Sequence, residues 1–143
     1  MADMDIKSFF AENVIKPQER EYVASQRFKD KDGNPIPWKL KVIPNKEFEE
    51  ILSSCRKKEF IPKTRQYELH TDSDKLNAEL VCASVVFPNL NDESLQKSYG
   101  TIGAEMTVKA MLTPGEYTDL VNAVTEACGF QAGMSDKIKI AKN

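Results

Sequence analysis

The chain has 143 residues, 41% hydrophobic and 29% charged, with a net charge of −2. That is the size of one ordinary domain, with apolar material for a real core, and it excludes a disordered chain. The longest apolar run, Leu80 to Phe87, is far below the ~20 residues of a membrane helix, and the charge gives no sign of a dedicated nucleic-acid binder.

In chain order, Asp5 to Glu12 predicts a short helix with Ile6, Phe9 and Phe10 on one side, closed by Lys16-Pro17. Arg20 to Phe28 reads as a strand with Tyr22, Ala24 and Phe28 on one face. Lys29 to Pro35 is a polar turn in which Gly33 and Asn34 can take positive φ. Ile36, Trp38, Leu40 and Val42 then alternate with Pro37, Lys39, Lys41 and Ile43, which predicts a second strand with one apolar face. The two strands form an antiparallel hairpin, and its apolar face needs a cover because an isolated hairpin is marginal in water.

The predicted cover is a helix capped by Asn45 and closed by Arg56, Lys57 and Lys58, with Phe48, Ile51, Leu52 and Cys55 as its apolar stripe. Residues 59–70 leave two readings open, a third strand or an ordered loop. From Thr71 or Asp72 a largely apolar helix is expected to run to about Phe87, where Pro88 stops it. Asn91 caps a short helix through Tyr99, with Gly100 as its C′ residue, and another helix spans about Gly103 to Leu112. Thr113, Pro114 and Glu116 spell a capping box that starts the last helix, which Gly129 ends. The expected fold class is α+β: an N-terminal antiparallel β-hairpin, extended by a third strand if 59–70 pairs, packed on a mainly helical C-terminal half. Residues 1–129 read as a single globular domain and 130–143 as a flexible tail.

Reactive chemistry is sparse. His70 is the lone histidine, and its nearest carboxylates, Asp72 and Asp74, better serve the start of the following helix. Cys55, His70 and Cys82 lack the spacing of a zinc site, and two of them lie on apolar helix faces where inert thiols are common. Asp72-Ser-Asp74 is half of a cation loop without the glycine and closing glutamate of an EF-hand. Gly100-Thr-Ile-Gly103 sits between helices, where chain reversal is its expected role, and no nucleotide fingerprint is present. The N-terminus lacks the basic region of a secretion signal, so the cysteines are expected to be reduced thiols in a cytoplasm. These features predict a binding module with no cofactor and no metal, not an enzyme.

Two surfaces are candidates for binding. Arg56, Lys57, Lys58, Lys63 and Arg65, interleaved with Phe60 and Tyr67, could hold a phosphate backbone and stack on bases, although a helix end followed by a solvated loop is the simpler reading. Phe87, Pro88, Leu90 and Tyr99 cluster around a helix break where apolar surface can remain open to a partner, while Trp38 reads as core.

The segment from Leu80 to Gly100, followed by Gly103-Ala-Glu105 and Leu112-Thr-Pro-Gly-Glu-Tyr117, resembles the XkdN-like phage tail assembly chaperones. Ile6-Lys-Ser-Phe-Phe, Ser25-Gln-Arg-Phe-Lys and Trp38-Lys-Leu-Lys are similar as well, so the likeness runs from residue 6 to about 130. The resemblance implies a non-catalytic protein of the bacterial cytoplasm that coats the tape measure protein and keeps it soluble. It would give way to the tail tube protein, a second candidate partner, and be absent from the finished virion. Some members also have a longer, frameshifted form. A tape measure protein exposes apolar helix stripes, so the expected groove lies around Phe87, Leu90, Tyr99, Leu112 and Tyr117. A small nucleic-acid-binding accessory protein using Arg56 to Tyr67, or a minor structural tail subunit, are the competing readings.

Overall fold

The structure is a computed structural model, and it describes residues 5–130. A four-residue 3-10 turn at Ile6–Phe9 is followed by β1 (Arg20–Tyr22), β2 (Trp38–Leu40), α1 (Asn45–Ser54), β3 (Arg56–Ile61) and β4 (Gln66–Thr71). The second half holds α2 (Ser73–Ser84), β5 (Val85–Phe87), α3 (Glu93–Tyr99), α4 (Ala104–Met111) and α5 (Pro114–Ala127). The fold is α+β, as its sequence predicts.

Alternation in β2 turns Trp38 and Leu40 inward, at 2% and 1% exposure, and Lys39 outward. β1 pairs with β2 antiparallel, placing Arg20 opposite Leu40 and Tyr22 opposite Trp38. The connection is tied where the Ile36 amide donates to the Phe28 carbonyl at 2.8 Å, and Gly33 takes φ +83° at its tip. The predicted hairpin is therefore present, but its first strand stops at Tyr22 instead of continuing to Phe28.

The third strand of this sheet comes from a different place than expected. Helix α2 ends at Ser84, and Val85–Phe87 forms β5 on the far side of β2, giving the order β1-β2-β5. The predicted helix to Phe87 is thus three residues too long. Two β-branched valines favour the extended chain. The Ser84 hydroxyl and the Lys41 amide then exchange hydrogen bonds with each other's backbone carbonyls, at 2.7 and 2.8 Å, which turns the chain into the sheet.

Three further boundaries differ. Arg56, Lys57 and Lys58 do not close α1: Cys55 ends it, and the basic residues begin β3, which pairs with β4 from Arg56↔Thr71 to Ile61↔Gln66. Residues 59–70 are thereby a strand pair, though in a separate two-stranded sheet. Asn45 is the first residue of α1 and makes no cap bond, while α3 is capped by Asp92, whose carboxylate accepts from the Ser94 amide, and not by Asn91. The N-terminal helix is a 3-10 turn with none of its residues buried. An isolated short helix with no covering surface cannot offset its nucleation cost.

Helices α2, α4 and α5 close the core over the sheet. Val81, Val108, Leu120 and Val124 are buried among them and meet Trp38, Leu40 and Val85 from the strands. Each such side chain contributes about 1.5–3 kcal/mol relative to leaving it in water. The Thr113 capping box is complete, the Thr113 hydroxyl accepting from the Glu116 amide and the Glu116 carboxylate accepting from the Thr113 amide. Gly100 (φ +64°) and Gly129 (φ +93°) stop α3 and α5 as expected. The predicted tail lies outside the described residues except for Phe130, whose ring packs on Phe48 at 5.5 Å between centroids. No helix among the described residues is long and apolar enough to cross a membrane.

Candidate partner-binding site

The β5–α3 corner and the α4–α5 corner meet over the Phe28 to Ile36 turn, and an apolar cleft opens between them. It has a volume of about 130 Å³ and is lined by Phe28, Ile36, Trp38, Phe87, Pro88 and Met111. Trp38 and Met111 are buried and form the floor, while Phe87 is 48% exposed and forms part of the rim. β5 carries Phe87 opposite Lys39 of β2, and the Phe87–Pro88 peptide is cis. The Phe28 and Trp38 rings lie 6.2 Å apart. Six apolar side chains around an opening leave it nothing to offer but shape and desolvation.

A polar clamp fixes one wall of this cleft. The Arg27 guanidinium donates to the Met111 carbonyl at 2.8 Å and to the Glu116 carboxylate at 2.7 Å. It therefore joins the chain beside Phe28 to the end of α4 and the start of α5. The Arg27 side chain holds the Glu116 carboxyl down at about 2, helped by Ser25 and by the Thr113 amide.

A second, larger cleft of about 280 Å³ lies on the other side of the α4–α5 corner, lined by Lys109, Leu112, Thr113, Pro114 and Tyr117. Neighbouring residues Met111 and Leu112 thus face different clefts. The Lys109 ammonium stands 5.9 Å from the centre of the Tyr117 ring and bonds Glu105 at 3.0 Å. The Tyr117 hydroxyl is buried with no hydrogen-bond partner among the described residues, and burial pushes its pKa up.

The five residues expected at the groove do not form one surface. Phe87 lines the apolar cleft, Leu112 and Tyr117 line the second, and Leu90 is a core residue at 2% exposure. Tyr99 is exposed at the end of α3 and lines neither cleft. Sequence reasoning missed Phe28, Ile36 and Met111 as lining residues. The available signal was that Phe28 and Ile36 flank a tight turn, which brings two apolar side chains to the same end of the hairpin.

The other chemical candidates separate in space or lose reactivity. Burial raises the Cys82 thiol to about 11 and pushes Cys55 up as well, so both resist forming thiolate. His70 lies on the β3–β4 ribbon, its Nε2 3.4 Å from Glu59 and 3.3 Å from Glu68. Among the described residues no group of three or more His, Cys, Asp or Glu side chains is arranged to hold a metal ion.

Comparison with known proteins places the chain among its relatives. The chain is 29% identical to YqbN of Bacillus subtilis (strain 168) over 141 residues, spanning 97% of this chain and 93% of that protein. It is 28% identical to the phage-like element PBSX protein XkdN of the same strain, over 97% of this chain and 94% of XkdN. The crystal structure of YqbN superposes with a TM-score of 0.75 at 25% identity, covering 91% of this chain and all of that one. The family pattern of the phage XkdN-like tail assembly chaperone proteins matches residues 6–142. With that match over nearly its whole length, the chain belongs to the XkdN-like phage tail assembly chaperone family.

Proposed function

We propose that this protein binds the tape measure protein and shelters its apolar helical stretches in the host cytoplasm until the tail tube polymerises around it. The observation that carries this reading is the cleft of Phe28, Ile36, Trp38, Phe87, Pro88 and Met111, apolar throughout and open at Phe87. A cleft of about 130 Å³ takes one or two side chains, not a whole helix. It fits an anchor residue of an amphipathic helix lying across the surface. Among the described residues the cleft is lined by apolar side chains alone, and we read its work as binding. In this reading Leu112 and Tyr117 border a neighbouring contact, Tyr99 extends the surface, and Leu90 supports it from below.

The occupant must be released, which favours a shallow site of modest affinity repeated over many copies. The chaperone then leaves the particle and is absent from the virion, and the tail tube protein is the competitor that displaces it.

The test is co-expression with the tape measure protein. The wild-type chain keeps it in the soluble fraction, Phe87→Asp loses that effect while unfolding at the wild-type temperature, and Phe87→Leu retains it. A tape measure protein equally soluble with and without this chain would sink the reading. So would a Phe87→Asp variant that protects as well as the wild type. Mass spectrometry of purified tails separates this role from that of a structural subunit.

A further inference from the structure

Cations in the last turn of a helix serve its dipole, but Arg56, Lys57 and Lys58 have no such role here: α1 stops before them and they begin β3. Strands β3 and β4 pair from Arg56↔Thr71 to Ile61↔Gln66, and no residue from 56 to 71 is buried. The ribbon is tied at its base, where the Asp72 amide donates to the Cys55 carbonyl at 2.8 Å and Lys57 pairs with Asp72 at 3.0 Å.

Alternation sorts its side chains onto two unlike faces. One carries Lys57, Glu59, Glu68 and His70, whose polar groups meet one another or Asp72. The other carries Arg56, Lys58 and Phe60 opposite Thr71, Leu69 and Tyr67, with no carboxylate. Lys63 and Arg65 stand at the turn, and none of the four cations Arg56, Lys58, Lys63 and Arg65 is in an ion pair among the described residues. In a chain of net charge −2, five cations against two carboxylates within residues 56–71 make the ribbon a local positive pole.

The Phe60 and Tyr67 rings lie 5.4 Å apart across the strands, yet stay 48% and 70% exposed. They cover no core, so their apolar faces are open to a ligand. Arg56 and Lys58, two residues apart on one strand, repeat at about 7 Å. Neither the apolar cleft nor its neighbour reaches this face, so it offers an apolar helix stripe no groove. It offers rings to stack on, bordered by regularly spaced cations. Planar bases joined by phosphates match both features at once. Inside a duplex groove the Glu59 and Glu68 face would also near phosphates, which favours a single strand lying on the other face alone.

We propose that the cationic, aromatic face of the β3–β4 ribbon binds single-stranded nucleic acid. Bases stack on Phe60 and Tyr67, and Arg56, Lys58, Lys63 and Arg65 hold the flanking phosphates. Stacking tolerates every base, so binding is independent of sequence. The inference does not rest on the tape measure reading, since the ribbon and the cleft share no residue.

Fluorescence anisotropy of labelled oligothymidylate and oligouridylate, titrated with the full chain over a salt series, tests it. Both single strands bind, more tightly than a duplex of equal length, and the tighter of the two distinguishes DNA from RNA as the preferred ligand. Affinity falls with salt with a logarithmic slope of about −3, as four phosphate contacts require. Lys58→Ala makes that slope shallower by about 0.7. Tyr67→Ala weakens binding by roughly fivefold or more with the slope unchanged, whereas Tyr67→Phe keeps wild-type affinity. Phe60→Ala repeats the stacking arm should Tyr67→Ala disturb the ribbon. A chain that leaves both strands free at low salt, a duplex bound as tightly as the single strands, or ring variants that bind as the wild type does each overturns the proposal. Capture of polyglutamate with no retention of either oligonucleotide assigns the face to an acidic protein partner and overturns it equally.

Discussion

The Glu116 carboxylate receives the Arg27 guanidinium, the Ser25 hydroxyl and the Thr113 amide, and these donors hold its pKa at about 2, against an ordinary value near 4.5. A carboxyl depressed on folding stabilises the native state above the unfolded value and loses that contribution as pH falls through the folded one. Its window therefore runs from about 4.5 down to about 2. Unfolding followed between pH 2 and 7 is expected to show a flatter acid limb in Glu116→Gln, with lower stability at neutral pH. Tyr117 presents the opposite case, a buried hydroxyl without a partner. Removing a donor that has lost its water and gained nothing is expected to help. Tyr117→Phe is expected to raise the unfolding free energy by about 1 kcal/mol in a denaturant titration. Leu90→Ala, at a core position, is expected to cost about 2–5 kcal/mol, whereas Phe87→Ala, half exposed on the cleft rim, costs far less. That contrast separates the residues supporting the surface from those presenting it.

At the level of elements, local chemistry wrote the signals that could be read and tertiary context wrote the rest. The Thr113 capping box, Gly100 and Gly129 act within one turn of chain, so α5 and the end of α3 are legible from a few residues. Trp38 and Leu40 are legible because alternation forces them to one face. β5 is different. Leu80 to Phe87 has apolar residues at both helical and strand spacing, and what decides for a strand at Val85 is a vacant edge of β2, about forty-five positions earlier in the chain. Residues 56–61 carry glutamate and lysine side chains that suit a helix end as well as an exposed strand, and only pairing with residues 66–71 settles them. The cleft was half legible for the same reason. Phe87 and Pro88 mark a break in the chain, but Phe28, Ile36 and Met111 reach it from three separate parts of the sequence. Since the ribbon adds little to the core, Phe60→Ala with Tyr67→Ala is expected to shift stability by no more than about 0.5 kcal/mol by calorimetry.

For the whole molecule, the surfaces divide by chemistry. The apolar cleft sits where sheet and helices meet, and the ribbon and N-terminal segment project with their own apolar side chains. Under the proposed function, a client held at the cleft leaves both projecting segments free. Loss of tape measure protection in Phe87→Asp, with protection intact in Tyr67→Asp, is the expected pattern in paired solubility measurements, since the cleft and the ribbon are separate surfaces.

The strand order β1-β2-β5 also has a bearing on synthesis. While the ribosome is still translating the first eighty residues, Trp38 and Leu40 have neither their third strand nor the helices that will seal them. Arg27 waits longer still for Glu116, 89 positions downstream. The nascent N-terminal half therefore cannot complete its core until most of the chain has emerged, and Trp38 and Leu40 stay uncovered through much of synthesis.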